Sequence, residues 1–166
     1  MKSHTRRHKL RELLVLTLLG VLMYVSQVIM APLTNIELVS FLIIIVARKF
    51  GFKSLLSVYI FVFLEIFTYG LAEWVICYLY VWAILAVIVC LFRKIESPIF
   101  YTLLCSAFGF LFGTLCSPVS FIMGGFGYGI SWLISGLRFD LLHGCGNFLL
   151  TFFLYKPIWA VAKKVL

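Results

Sequence analysis

Charge is what this sequence has least of. Six acidic side chains stand against 14 Lys and Arg, and charged residues of both signs make up only 12% of the 166 residues. A soluble domain in which 64% of residues are hydrophobic, with a mean hydropathy of +1.14, could not hide that much apolar surface. Long polar stretches are missing as well, which leaves no room for a soluble catalytic or nucleotide-binding domain within this sequence. Gly-x-Ser-x-Gly, His-Glu-x-x-His and glycine-rich phosphate loops do not occur. Their absence removes the usual nucleophile, zinc and nucleotide chemistries, and no motif asks for a cofactor. Cys77, Cys90, Cys105, Cys116 and Cys145 stand singly in apolar runs with no C-x-x-C pair, so they read as small buried residues rather than metal ligands or a redox couple.

What is present is a series of apolar runs. A helix needs roughly 20 apolar residues to cross about 30 Å of hydrocarbon. Cutting at charges and turn residues gives segments at 12–31, 36–47, 54–71, 74–92, 98–117 and 139–162, an all-α chain of about six transmembrane helices in one domain. The first run follows Lys2, Arg6, Arg7, Lys9 and Arg11, as a signal peptide would, but it is long and shows no small-x-small cleavage site before Pro32, so it reads as a retained helix. Residues 118–138 hold Gly124, Gly125, Gly127, Gly129 and Gly136, too many for an ordinary spanning helix, and read as an outer loop dipping back against the protein.

With six alternating crossings, thirteen of the 14 Lys and Arg fall on one side: the amino-terminal five, Arg48, Lys49, Lys53, Arg93, Lys94, Lys156, Lys163 and Lys164. Only Arg138 lies elsewhere. By the positive-inside rule that side is cytoplasmic, and both termini with it. The same placement makes the +8 net charge a topology signal facing lipid headgroups rather than a nucleic-acid footprint.

The outer end then carries Glu37, Glu65, Glu73, Arg138, Asp140 and His143. A charge at membrane depth costs roughly 2.5–3.5 kcal/mol on insertion scales, so such residues face a cavity or each other. Glu37, after Asn35, opens the second helix as either a cap or a ligand group. Glu65 and Tyr69 share a face of the third helix, Glu65 being the deeper. Asp140, His143 and Asn147 recur at spacings of three and four, one inward stripe of the last helix, with Gly144 and Gly146 beside it; the stripe serves either a ligand or an internal hydrogen-bond network. Arg138 would point away from Asp140, so its expected partner is Glu37, Glu65 or a ligand anion. Trp74, Tyr78 and Trp82 repeat every four residues on the fourth helix, with Trp132 in the glycine-rich segment. Aromatics there are interface anchors or, continuing inward as these do, a stacking wall for a flat heteroaromatic ligand.

The layout and several stretches resemble the S components, the substrate-binding membrane subunits, of energy-coupling factor (ECF) transporters. The resemblance rests on Asn35-Ile36-Glu37-Leu38-Val39-Ser40, on Gly136-Leu137-Arg138-Phe139-Asp140-Leu141-Leu142-His143, and on Asn147-Phe148 and Lys156-Pro157. It implies a multi-pass subunit of the prokaryotic plasma membrane that captures a vitamin or precursor from outside. It also implies work with an ECF T component and two cytoplasmic ATPase subunits, and toppling in the membrane to release cargo. A pyridoxine-like or pyrimidine-like compound suits the expected pocket, with pantothenate or a deazapurine precursor close behind. S components often carry alanines spaced by four on the first helix, where the T component docks; here Thr17, Gly20 and Ser26 stand among large residues, so only the location on helix one, at Thr17 and Gly20, carries over. From other classes come a structural or regulatory membrane subunit without a ligand, and an intramembrane enzyme using Asp140 and His143.

Overall fold

The computed structural model describes residues 2–165, with side chains from Arg7 onward, so Lys2 and Arg6 of the amino-terminal basic stretch lie outside the described side chains. The described residues are all-helical: α1 (Lys2–Met30), α2 (Val39–Phe50), a short 3-10 turn (Gly51–Lys53), α3 (Ser54–Tyr69), α4 (Glu73–Leu91), α5 (Pro98–Phe110) and α6 (Phe112–Val165). Four stretches are long and apolar enough to cross a membrane: Arg7–Met30, Val39–Tyr69, Glu73–Leu91 and Pro98–Val165. The outer surface of the bundle suits that medium. Leu18, Phe63, Phe67, Ile122 and Phe126 are all exposed, a belt that would drive aggregation in water and is matched by hydrocarbon.

Cross-links between helices give their directions. Lys53 meets Glu12 at 2.7 Å, Ser57 donates to the Leu16 carbonyl at 2.7 Å, and Tyr24 meets Thr68 at 2.7 Å, so α1 and α3 run parallel. Phe61 packs on Tyr78 and Trp82 while Tyr69 meets Trp74, so α4 runs back against α3. The chain therefore reverses at the 3-10 turn, where Gly51 adopts φ 61°, and at Gly70, with φ 72°, both favouring glycine. A basic cluster at one end gathers Arg48 between Tyr101, Tyr155 and Trp159, with its guanidinium 4.2 Å from the Trp159 ring centroid and bonded to the Tyr155 hydroxyl.

Several boundaries differ from the sequence reading. The helix expected at 12–31 already begins at Lys2, and the one expected at 139–162 is the end of a longer helix that reaches Val165. The segment expected at 36–47 becomes helical only at Val39, because 31–38 is an irregular stretch that turns at Asn35, whose φ of 57° an asparagine tolerates. The helix expected at 98–117 is interrupted at Leu111 and resumes at Phe112. The glycine-rich segment 118–138 is not a loop. It is helical on both sides of a single break at Gly125 (φ 75°, ψ −174°), where α6 folds back into a 112–124 limb and a 126–165 limb. Where water is scarce a helix satisfies its own backbone, which outweighs glycine's weak propensity. Two of the glycines make room for rings rather than bends: a side chain at Gly124 would collide with Tyr128, and one at Gly129 with Phe121. The fold-back is fastened to α4, since Glu73 accepts from Ser120 at 2.5 Å and from Tyr128 at 2.8 Å.

Gly20 and Thr17 of α1 also differ from expectation. Gly20 is buried against α3, where an added side chain would begin 2.6 Å from the Ser57 carbonyl oxygen, and Thr17 bonds its own helix at the Leu13 carbonyl, 2.9 Å away. The close approach that Gly20 permits is used inside the chain, so Gly20 is not a free docking surface.

Candidate functional site

Between the ends of α1, α3, α4 and α6 lies a cavity of about 540 Å³. Its roof is the irregular 31–38 stretch, which explains why α2 is only 12 residues, about 18 Å at ~1.5 Å per residue: non-helical backbone at this level is tolerated because it lines a cavity. Ten of the twelve residues singled out from sequence for substrate binding line the space. They are Asn35 and Glu37 in the roof, Glu65 and Tyr69 on α3, Trp74, Tyr78 and Trp82 on α4, and Trp132, Asp140 and His143 on α6.

One wall is a continuous aromatic ladder. Tyr69, Trp74, Tyr78 and Trp82 meet edge-to-face in sequence, with centroids 5.3, 5.3 and 5.2 Å apart, and Phe112 continues the row 5.3 Å from Trp82. The four-residue spacing on α4 stacks these side chains on one face, and edge-to-face pairing satisfies their quadrupoles. Tyr69 and Trp74 lie toward the open end while Trp82 is 1% exposed, so the ladder runs from rim to floor.

The acidic groups divide by partner. Glu37 acts as a cap, Oε2 accepting from the Ser40 backbone N–H at 2.8 Å at the start of α2, while Oε1 lies 3.0 Å from His143 Nε2, a partner within the chain. Asp140 accepts from the Gly113 N–H at 2.9 Å and so caps the helix that resumes after Leu111, one of the orphan donors of a helix start. Glu65 is fully buried, and neither of its oxygens has a partner. Trp82 Nε1 and Gln27 Oε1 are likewise buried and unpartnered. A buried polar group without a hydrogen bond is costly, by roughly 1–3 kcal/mol on mutational scales, and three of them around one cavity mark where an occupant would bond.

Two expected site residues lie elsewhere. Arg138 is exposed and its guanidinium sits 5.0 Å over the ring of its own neighbour Phe139, so it pairs with neither Glu37 nor Glu65. Its two-residue offset from Asp140 turned it out of the bundle. Asn147 is buried but does not line the cavity; its Nδ2 donates to the Cys105 carbonyl at 3.3 Å, a tie between α5 and α6. Residues missed from sequence include Gln27, Cys77, Phe112 and Cys116, all lining the space. Gln27 alone had a legible signal, as a long amide in the apolar run of α1. The others are apolar or weakly polar and became site residues only through tertiary placement. Among the described residues no group of three or more His, Cys, Asp or Glu is placed to hold a metal ion.

Comparison with family models, with characterised proteins and with solved structures gave no match.

Proposed function

We propose that this chain is the substrate-binding subunit of an ECF-type uptake transporter in a prokaryotic plasma membrane, capturing a small heteroaromatic vitamin or precursor from outside. The observation that carries this reading is the 540 Å³ cavity with an aromatic ladder on one wall and a fully buried, unpartnered carboxylate inside it. A volume in this range suits a small molecule, as do apolar walls with a few convergent polar groups. The resemblance of the Asn35–Ser40 and Gly136–His143 stretches to S components agrees, and both stretches contribute to the cavity. On this reading the T component and two ATPase subunits supply the energy. A structural or regulatory role without a ligand draws its support from Asp140 and from the Glu37 and His143 pair, which are satisfied internally. It leaves Glu65 without an explanation.

Gentle purification should retain a small heteroaromatic compound in roughly stoichiometric amount, read by mass spectrometry of the denatured complex. The subunit alone in vesicles should bind that compound without accumulating it. Retention of nothing, together with no binding to any ring compound, turns the reading toward the structural role, and energised uptake without the partner subunits contradicts the ECF assignment.

The proposed topology is six crossings with both termini in the cytoplasm and the cavity facing outward. Thr34→Cys and Leu71→Cys should react with an impermeant thiol reagent in intact cells. Phe52→Cys, in the exposed turn between α2 and α3, should react only after permeabilisation. Labelling of Phe52→Cys in intact cells would invert or dissolve this arrangement.

A further inference from the structure

We infer that the cavity selects a flat ring with a positively charged or amidine-like edge, two adjacent N–H donors held by Glu65, and that it rejects ring compounds bearing a carboxylate. The inference rests on the binding-pocket reading above and narrows its ligand. Three acids line the cavity, Glu37, Glu65 and Asp140, and the only basic side chain among the described residues there is His143. No described Lys or Arg lines it, and Arg138, the nearest in sequence, is exposed beside Phe139. His143 is already engaged by Glu37 at 3.0 Å, and Asp140 by the Gly113 N–H at 2.9 Å. Of the three acids, the one with no partner on either oxygen is Glu65, which is 0% exposed.

A carboxylate with two free oxygens is complementary to a donor pair on one edge, such as a ring nitrogen carrying a proton beside an exocyclic amine, because two parallel charge-assisted bonds then form at once. Gln27 Oε1 adds a further acceptor, and Trp82 Nε1 offers a free donor, calling for an acceptor atom away from the donor edge. The ladder of Tyr69, Trp74, Tyr78 and Trp82 supplies the flat apolar wall and adds an attraction between ring faces and a cationic ring. An anionic ring would meet three acids with no free cation in reach and would leave Glu65 as unpaired as before.

Benzamidine, benzamide and benzoate share one ring and differ only in the charge and donors of one edge. Their binding to the purified full chain, freed of any retained compound, can be followed by the fluorescence of the cavity tryptophans. Benzamidine should bind at least ~tenfold more tightly than benzoate, the scale of a single charge-assisted hydrogen bond. Glu65→Gln should erase that preference. Equal or tighter binding of benzoate overturns the charge selection while leaving a ring-binding pocket in place; binding of none of the three, with no compound retained on purification, overturns the pocket itself. Should Glu65→Gln fail to fold, the wild-type chain still decides: a hydrophobic carbodiimide should modify Glu65 in the empty chain, and saturating benzamidine should block that modification. Modification that proceeds unchanged under benzamidine removes Glu65 from the ligand site.

Discussion

Gly109→Leu is expected to prevent the chain from accumulating in folded form, and Gly109→Ala to destabilise it by about 1–3 kcal/mol, the scale of overpacking a tight interior. Gly109 is where α5 crosses the returning limb of α6. A Cβ there would lie 2.8 Å from Gly144 Cα, 2.8 Å from Gly144 N and 2.8 Å from the His143 carbonyl carbon. All three are backbone atoms, so no rotamer change relieves the clash and the helices must separate. Separation would weaken both ties across this interface, Ser106 to the Gly144 carbonyl at 3.0 Å and Asn147 to the Cys105 carbonyl at 3.3 Å. It would also carry His143 away from Glu37. Gly127, with nothing within 4 Å of its added Cβ, is the control: Gly127→Ala should be near neutral. Thermal unfolding of the three variants in detergent checks this, and a Gly109→Ala protein that melts with Gly127→Ala would remove the crossing as a determinant of the fold.

That crossing illustrates what could be read in advance. Helix existence followed from apolar length, and the positions of Ser54, Glu73 and Pro98 at or beside helix starts agreed with the turn signals on which the segments were cut. The glycine count in 118–138 misled, because propensity measured in water does not rank residues where no water competes for the backbone. Only one of those glycines, Gly125, has the positive φ that a loop reading implies for several. Gly20 misled in a related way. A small residue on an apolar helix signals close approach, and nothing local says whether the approaching surface is another protein or α3 of the same chain.

The candidate site was legible wherever polarity was out of place. Glu37, Glu65, Asp140 and His143 stood out because apolar runs have few reasons to hold them, and all four line one cavity. Helical spacing then placed Trp74, Tyr78 and Trp82 on a shared face. Spacing could not say which polar groups would find partners within the chain. Asn147 shares the stripe of Asp140 and His143 yet is claimed by the Cys105 carbonyl, while Glu65 is left without a partner. Those outcomes depend on α5 and the stretch before α2 meeting the stripe, which no local pattern records.

Trp82→Ala should cost about 3–5 kcal/mol of stability, the usual loss for removing a large buried aromatic side chain. Trp82 is 1% exposed and packs against Phe61, Tyr78, Phe108 and Phe112 with centroid distances of 5.8, 5.2, 5.6 and 5.3 Å. It is therefore core as well as cavity floor, and loss of binding in the alanine variant would not separate the two roles. Trp82→Phe does separate them. The ring and most of its packing survive, while the Nε1 donor, which has no partner within the protein, disappears. A purely structural Trp82 predicts a modest stability loss with unchanged affinity, because removing an unpartnered donor costs the folded chain nothing in hydrogen bonding. A ligand that accepts from Nε1 predicts weaker binding by about 1–3 kcal/mol, or roughly five- to 150-fold in Kd. Melting temperature and affinity for the compound retained on purification should be measured on both variants, and unchanged affinity in Trp82→Phe would leave Trp82 as packing alone and place the ligand's acceptor elsewhere in the cavity.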